Sequence, residues 1–363
     1  MTPRLARRTL LLAFASAPFG RSGGAAVVFP RVVPATLAFP RDHGAHPEFR
    51  VEWWYLTAVL EGVDGGTALG IQVTFFRVRT QIDAANPSRF AAHQLLFGHA
   101  ALADAGRASL LVDQQIARLG SGAVRVATHD TDIALNRWRF ARRDDGRFEC
   151  EVAARGFRLR FVATPSQPVL LQGGHGFFPK ETQGAYASYY YSVPQLRLEA
   201  EILRDDRKLV TRGIGWLDHE WASTLLEPAA TGWDWIGMNL DDGAALTAFQ
   251  TRRKGDDAVL FAYASMRAAG EVQPRLFAQD QVRFEPLAHW ESPRTRARYP
   301  VAQRIAVGGR VFETRPLFAD QELDARPTGS AIYWEGASTL SENGTRVGRG
   351  YLELTGYAGP LTL

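Results

Sequence analysis

Runs of alternating apolar and polar residues, each closed by a turn dipeptide, leave this chain little choice but an antiparallel β fold. Across residues 68–78, Leu69, Ile71, Val73 and Phe75 share one face, and Gln72, Thr74 and Phe76 the other. Residues 148–161, 195–203 and 349–356 alternate as well. Between such runs stand Asp64–Gly65, Asp145–Gly146, Asp242–Gly243 and Asn343–Gly344, all hairpin-forming pairs. No long segment carries the 3.6-residue period of a helix. The predicted class is all-β, with antiparallel strands closed into barrels or sandwiches.

At 363 residues the chain is long enough for two ordinary domains or one large β domain. Two stretches echo each other. Residues 52–77 run from a Trp-rich strand through an acidic-glycine turn into a second strand, and residues 232–253 repeat that order with a shorter turn. The echo predicts two similar domains, 28–225 and 226–363, with the Pro228 region as linker. Residues 1–26 read as a secretory signal. Arg4, Arg7 and Arg8 precede a short apolar run from Thr9 to Ala17, and the Arg7–Arg8 pair suggests twin-arginine export to the periplasm or beyond. That run is far shorter than the ~20 residues a membrane span needs, and no other segment approaches one. A net charge of +4, with Arg and Lys scattered, gives no nucleic-acid footprint. The single cysteine, Cys150, sits in an alternating strand and reads as packing rather than as a nucleophile.

Chemistry concentrates in a few motifs. DHGAHPEFRVEWWY, residues 42–55, places Asp42, His43 and His46 in a loop ahead of a strand on which Glu52 and Trp54 share one face, and Trp53 and Tyr55 the other. Gly44 and Pro47 set the His-x-x-His pair in a loop, and no third ligand is fixed by spacing, so neither a metal nor a cofactor is expected. In GWLDHEW, residues 215–221, His219 and Trp221 face together, while Asp218 and Glu220 point the other way with Trp216. An imidazole beside an indole suits proton transfer next to a π face that stabilises positive charge; a satisfied core histidine is the plainer alternative. Trp233 and Trp235 share a face opposite Asp234. Six of the nine tryptophans fall in these three motifs, which points to an aromatic ligand cavity or to an aromatic core shared between domains. LLQGGHGFFPKE, residues 170–181, lacks the spacing of a phosphate cradle and reads as a flap over a pocket. SYYYS, residues 188–192, alternates Tyr189 and Tyr191 against Tyr190. No GxSxG or SxxK motif supplies a hydrolytic nucleophile.

Taken together, residues 42–55, 188–192, 215–221 and 351–357 (YLELTGY) resemble one family. It contains the bacterial carotenoid 1,2-hydratases (hydroxyneurosporene synthases) and the AttH-like, lipocalin-like "predicted secreted hydrolases". The resemblance implies two lipocalin-like β-barrel domains in tandem. For the hydratases it implies cofactor-free chemistry, in which a general acid protonates an alkene, aromatics stabilise the tertiary carbocation and water adds. His219 and Trp221 would then be central and Asp218 adjacent, with Trp233 and Asp234 as further candidates. An export signal argues against a carotenoid itself, whose synthesis is linked to the cytoplasmic side of the membrane. The resulting expectation is an exported hydratase- or lyase-type enzyme for a hydrophobic, isoprenoid- or lipid-like molecule. Its catalytic residues would be His219, Asp218, Asp42 and His43, and its substrate-binding residues Glu52, Trp54, Gln72, Tyr189, Trp221, Trp233 and Trp235. A non-catalytic carrier of an apolar ligand and a secreted hydrolase are the alternatives.

Overall fold

The computed structural model describes residues 27–359 apart from 64, 84, 182, 183 and 330, so the export signal expected at 1–26 lies outside the described residues. The strands gather into two antiparallel sheets, one of thirteen strands between Val51 and Ala222 and one of ten between Ala230 and Thr355 among the described residues. None of the described helices is long and apolar enough to cross a membrane.

Both sheets are wound the same way. In each, the first strand pairs with the last as well as with the second. Val51–Gly62 lies between Leu69–Arg79 and Arg207–Ala222, and Ala230–Leu240 lies between Ala245–Arg253 and Thr345–Thr355. From this seam the remaining strands follow mainly in hairpin order towards the two edges. The edges then curl back. Ser109–Arg118 packs against Asp132–Leu135 and Phe148–Ala154 in the first sheet, and Val259–Arg267 against Val282–Glu291 in the second. Curling covers edges that would otherwise offer unpaired backbone to other chains. The result is all-β and lipocalin-like: two antiparallel barrels in tandem, as expected. The Asn343–Gly344 turn has φ of 52° and 77° at its two residues, the positive values that a tight hairpin between right-twisted strands requires.

The barrel interiors are filled. Trp54, Phe75, Trp138, Phe140 and Phe148 pack inside the first, and Ile236, Phe312, Trp334 and Leu352 inside the second. The seam strands also bury their outer faces, because there the barrels meet. Tyr55, Tyr190, Trp216, Trp235, Phe249 and Tyr351 form one cluster across that join. Fully burying a large apolar side chain contributes roughly 1.5–3 kcal/mol, so this cluster fixes the barrels against each other. The join leaves no room at Gly70, where a Cβ would lie 2.6 Å from both the Ala337 Cβ and the Tyr351 hydroxyl. Gly70→Val therefore overpacks the join and should destabilise by about 1–3 kcal/mol. Urea unfolding followed by tryptophan fluorescence checks this, and an unchanged midpoint would mean that the barrels do not meet there.

Candidate functional site

Strand alternation sends Glu52, Trp54, His219 and Trp221 into the first barrel. There Glu52 is fully buried, which by itself raises its pKa, but its partners reverse the effect. Arg77 Nε donates to Oε2 at 2.7 Å, and His219 Nε2 and His46 Nδ1 lie 3.0 and 2.8 Å from Oε1. These groups hold the carboxyl well below its usual range. An ionised carboxylate only accepts, so His219 carries its proton on Nε2, and its Nδ1 accepts from the Tyr191 hydroxyl at 3.0 Å. Tyr191 in turn accepts from His43 Nδ1 at 2.7 Å.

His46 reaches Glu52 with one nitrogen and Asp42 Oδ1 with the other at 3.2 Å, and it lies flat on Trp221 with ring centres 3.7 Å apart. Burial lowers its pKa, but the hydrogen bonds and charges of Asp42 and Glu52 outweigh that and raise it. Burial acts on Asp42 in the raising direction, yet bonds from His46, the Ala38 backbone and Arg41 bring it down to about 2. His43, with burial and then Arg142 and His219 against its charged form, is lowered to about 3, and burial also lowers His219. This network clips the loop of residues 42–46 to the barrel. Trp54 Nε1 donates to His43 O at 3.1 Å, and Arg77 Nη2 donates to His46 O at 2.7 Å.

The ligand atoms of His46, Glu52 and His219 lie within 4.8 Å of one another, close enough to hold a metal. Both imidazoles, however, already spend their protons on the one carboxylate oxygen, and the Arg77 guanidinium occupies the other. A divalent cation would sit against a fixed positive charge, so the residues as arranged do not fit one.

The opposite faces of the same strands build something different. Together with the second barrel they enclose a cleft with about 940 Å³ of atom-free space, counting the part continuous with solvent. Trp53, Tyr190, Trp233, Trp235 and Phe249 wall it, and Asp218, Glu220, Glu335, Glu353 and Lys180 face into it. Clefts that are mostly apolar with a few placed polar groups are typical of small-molecule sites. Gly237 makes room for the Trp235 indole, since a Cβ there would overlap the ring and approach Trp216.

Asp218 is held by three donors: Ser192 Oγ at 2.6 Å, Trp216 Nε1 at 2.6 Å and Tyr190 Oη at 2.8 Å. Burial nevertheless dominates and raises it to about 7. Trp235 Nε1 donates to the Tyr190 oxygen at 3.2 Å, completing a chain of donors that ends on Asp218. Lys180 Nζ lies 2.5 Å from Glu220 Oε1 and 5.2 Å from the centre of the Trp53 ring. Glu353 accepts from Trp233 Nε1 at 3.0 Å and is raised by burial to about 7, while Glu335 accepts from the Tyr55 hydroxyl and is raised well above the carboxylate range by burial and by Glu353. Neutral carboxylic acids among indole faces can donate a proton to a weakly basic apolar molecule and shelter the cation that forms.

The expected composite pocket thus divides in two. Asp218, Gln72, Trp233 and Trp235 line the cleft. His219, Asp42, His43, Glu52, Trp54, Tyr189 and Trp221 lie within or against the first barrel's core. The physical reason is the two-residue period, because neighbours within each motif leave the strand on opposite faces. Asp234 points away from the cleft and is bonded by Gln250 at 2.6 Å, Tyr357 at 2.9 Å and Arg252 at 3.2 Å. The glycine-rich segment is a fixed wall: Leu170–Leu171 and Phe177–Pro179 both pair with Ala187–Arg204, and the Gly173 amide donates to the Tyr263 hydroxyl at 2.9 Å. Sequence reasoning passed over Glu335 and Glu353. Their signal is a single charge in a strand whose neighbours are apolar on both faces, IYWEGA and YLELTG.

Two lipocalin-like antiparallel barrels joined around an acid-lined aromatic cleft define the structural class. The chain belongs to the AttH-like family, whose model matches residues 30–357. It is similar to a solved structure assigned as AttH from Nitrosomonas europaea, with 48% identity, a TM-score of 0.85, and coverage of 91% of this chain and 99% of that one. Kievitone hydratase from Nectria haematococca shares the fold at 13% identity and a TM-score of 0.67, over 89% of this chain and 94% of that one. CghA bound to Sch210972 does so at 13% identity and a TM-score of 0.50, over 92% and 96%. No curated protein sequence matches the chain.

The barrel network makes stability pH-dependent with a definite sign. His43 titrates near its ordinary value of 6.5 when unfolded but only at about 3 when folded. Between those values the unfolded chain binds the extra proton, so the stability present above the unfolded pKa is lost as pH falls. His43→Gln removes this titration. Urea unfolding at neutral and mildly acidic pH should show a smaller loss on acidification in the variant than in the wild type, and equal losses would mean that His43 is not held neutral.

Proposed function

We propose that this chain is an exported, cofactor-free enzyme of hydratase type that adds water across a double bond of a hydrophobic, isoprenoid- or lipid-like molecule, and that the cleft between the barrels is where it does so. The observation that carries this is the set of buried carboxyl groups facing one aromatic-walled cleft. A carrier needs the aromatic walls but gains nothing from keeping acids poised out of water, where each costs stability. A ligand inside either barrel would have to displace packed tryptophans and phenylalanines. The fold shared with an enzyme named as a hydratase agrees with this reading. Asp218 serves by positioning the Tyr190 hydroxyl in the cleft, and His219 serves the scaffold, since both of its ring nitrogens are engaged and it is fully buried.

The purified protein is incubated with geranylgeraniol in water labelled with heavy oxygen, and products are followed by mass spectrometry. The expected result is a labelled hydrated product. Asp218→Asn should lower its rate by about 10²-fold through lost positioning, and His219→Ala should lower stability while keeping the rate per folded molecule within a few-fold. Retention of unmodified isoprenoid without turnover would make the protein a carrier. Loss of turnover in a folded His219→Ala protein, with Asp218→Asn active, would move the site into the first barrel.

A further inference from the structure

The second barrel contributes to the cleft a pair of carboxyl groups that the sequence did not mark as site candidates, although Glu353 lies within YLELTGY. Glu335 on Ile332–Glu342 and Glu353 on Thr345–Thr355 stand directly opposite each other in the antiparallel register, where side chains on one face lie about 4.5–5.5 Å apart at Cβ. Both face the cleft. Among the described residues neither has a cation within ion-pair distance, whereas Glu220 in the same cleft has Lys180. Glu335 is buried. Its Oε1 accepts from Tyr55, and its Oε2 is sealed from water without any hydrogen-bond partner. An orphaned buried carboxylate oxygen is costly, and carrying the acid proton there lowers that cost and leaves the proton unspent beside the cleft. Glu353 is reached from the cleft, with one oxygen held by Trp233. Two carboxyls so placed do not both ionise near neutral pH, so the pair keeps at least one proton.

We infer that Glu335 and Glu353 are the acid–base couple of the cleft, Glu335 giving the proton to the double bond through Oε2 and Glu353 taking the proton released by the adding water. This rests on the hydratase reading of the cleft above. The steps balance. The Glu335 O–H bond breaks as a C–H bond forms, leaving a carboxylate and a tertiary carbocation against the indoles of Trp53 and Trp235. Water forms the C–O bond, and its proton passes to the Glu353 carboxylate. The proton then crosses from Glu353 to Glu335 and restores the pair, so the net change is alkene plus water to alcohol. Asp218 cannot fill either role as readily, because both its oxygens are committed to Ser192, Trp216 and Tyr190. The other titratable groups turned towards the pair are Tyr55 and Asp218 and Glu220 from the first barrel, Tyr333 and Tyr351 beside it, and Lys180. The tyrosines stay neutral through the range in which the pair titrates, since burial raises Tyr55, Tyr333 and Tyr351 well above their ordinary value.

Glu335→Gln and Glu353→Gln test this in the full chain. Each keeps an oxygen for Tyr55 or Trp233, so the fold should hold. With geranylgeraniol as probe, each should lose about 10²–10⁴-fold in turnover, and Glu353→Gln should also lose the acid limb of the pH–rate profile, which a packing role would not move. Infrared spectra of the wild type at neutral pH should show the C=O band of a protonated carboxyl that Glu335→Gln removes. Wild-type rates in both variants, with Asp218→Asn impaired, would overturn the couple while leaving the cleft as the site. No turnover by the wild type would sink the hydratase reading and the catalytic couple together. An infrared band untouched by Glu335→Gln would overturn the shared proton whatever the turnover.

Discussion

Burial of the seam strands on both faces is the constraint from which the rest of this molecule follows. Along their buried lengths, Val51–Gly62, Arg207–Ala222, Ala230–Leu240 and Thr345–Thr355 present one face to a barrel interior and the other to the opposing barrel. A polar group on either face is cut off from water and must find a partner within the protein or change its protonation state. The two faces answer this demand differently. Inside the first barrel, Glu52 stays charged because Arg77, His46 and His219 surround it, at distances of 2.7–3.0 Å. On the cleft side, Glu335 and Glu353 lack such cations and are driven towards the neutral acid.

The same logic separates structural from chemical polar groups without reference to where they fall in the sequence. Polar groups that fully satisfy one another, such as the ring of His43, Tyr191, His219, Glu52, His46 and Asp42, lock a loop onto a barrel. Those left with an unspent atom beside the cleft are available to a ligand. Glu335 belongs to the second kind, and Lys180 with Glu220 stands between the two, paired yet lining the cleft. Trp54 and Trp221 likewise stack on imidazoles, whereas Trp53, Trp233 and Trp235 offer their faces to the cleft.

Much of the fold was legible in the sequence. Alternation and turn dipeptides were enough to predict antiparallel barrels or sandwiches, the family resemblance narrowed this to two barrels, and the facing of Glu52 with Trp54, or of Asp218 with Trp216, followed from the two-residue period alone. What the period could not say is which face looks into a barrel and which across the join, because both are equally apolar when a strand is buried on two sides. His219 and Asp218, one residue apart, therefore seemed to belong to one pocket. Glu335 was harder still. Its strand carries no cluster of ionisable residues, and its significance arises from Glu353, eighteen positions later, and from Tyr55 in the other barrel.

The interleaving of the two faces has a consequence for how such proteins can diversify. Along each seam strand, residues of one parity hold the barrel together, and residues of the other parity form the join and the cleft within it. Exchanging a cleft residue leaves both its chain neighbours, and the core they maintain, untouched. The cleft can thus be rewritten in either barrel independently, changing the shape of what is bound while the scaffold that presents it stays constant. A fold in which recognition and folding are written on alternate letters of the same strands is well suited to serve many apolar substrates with one architecture.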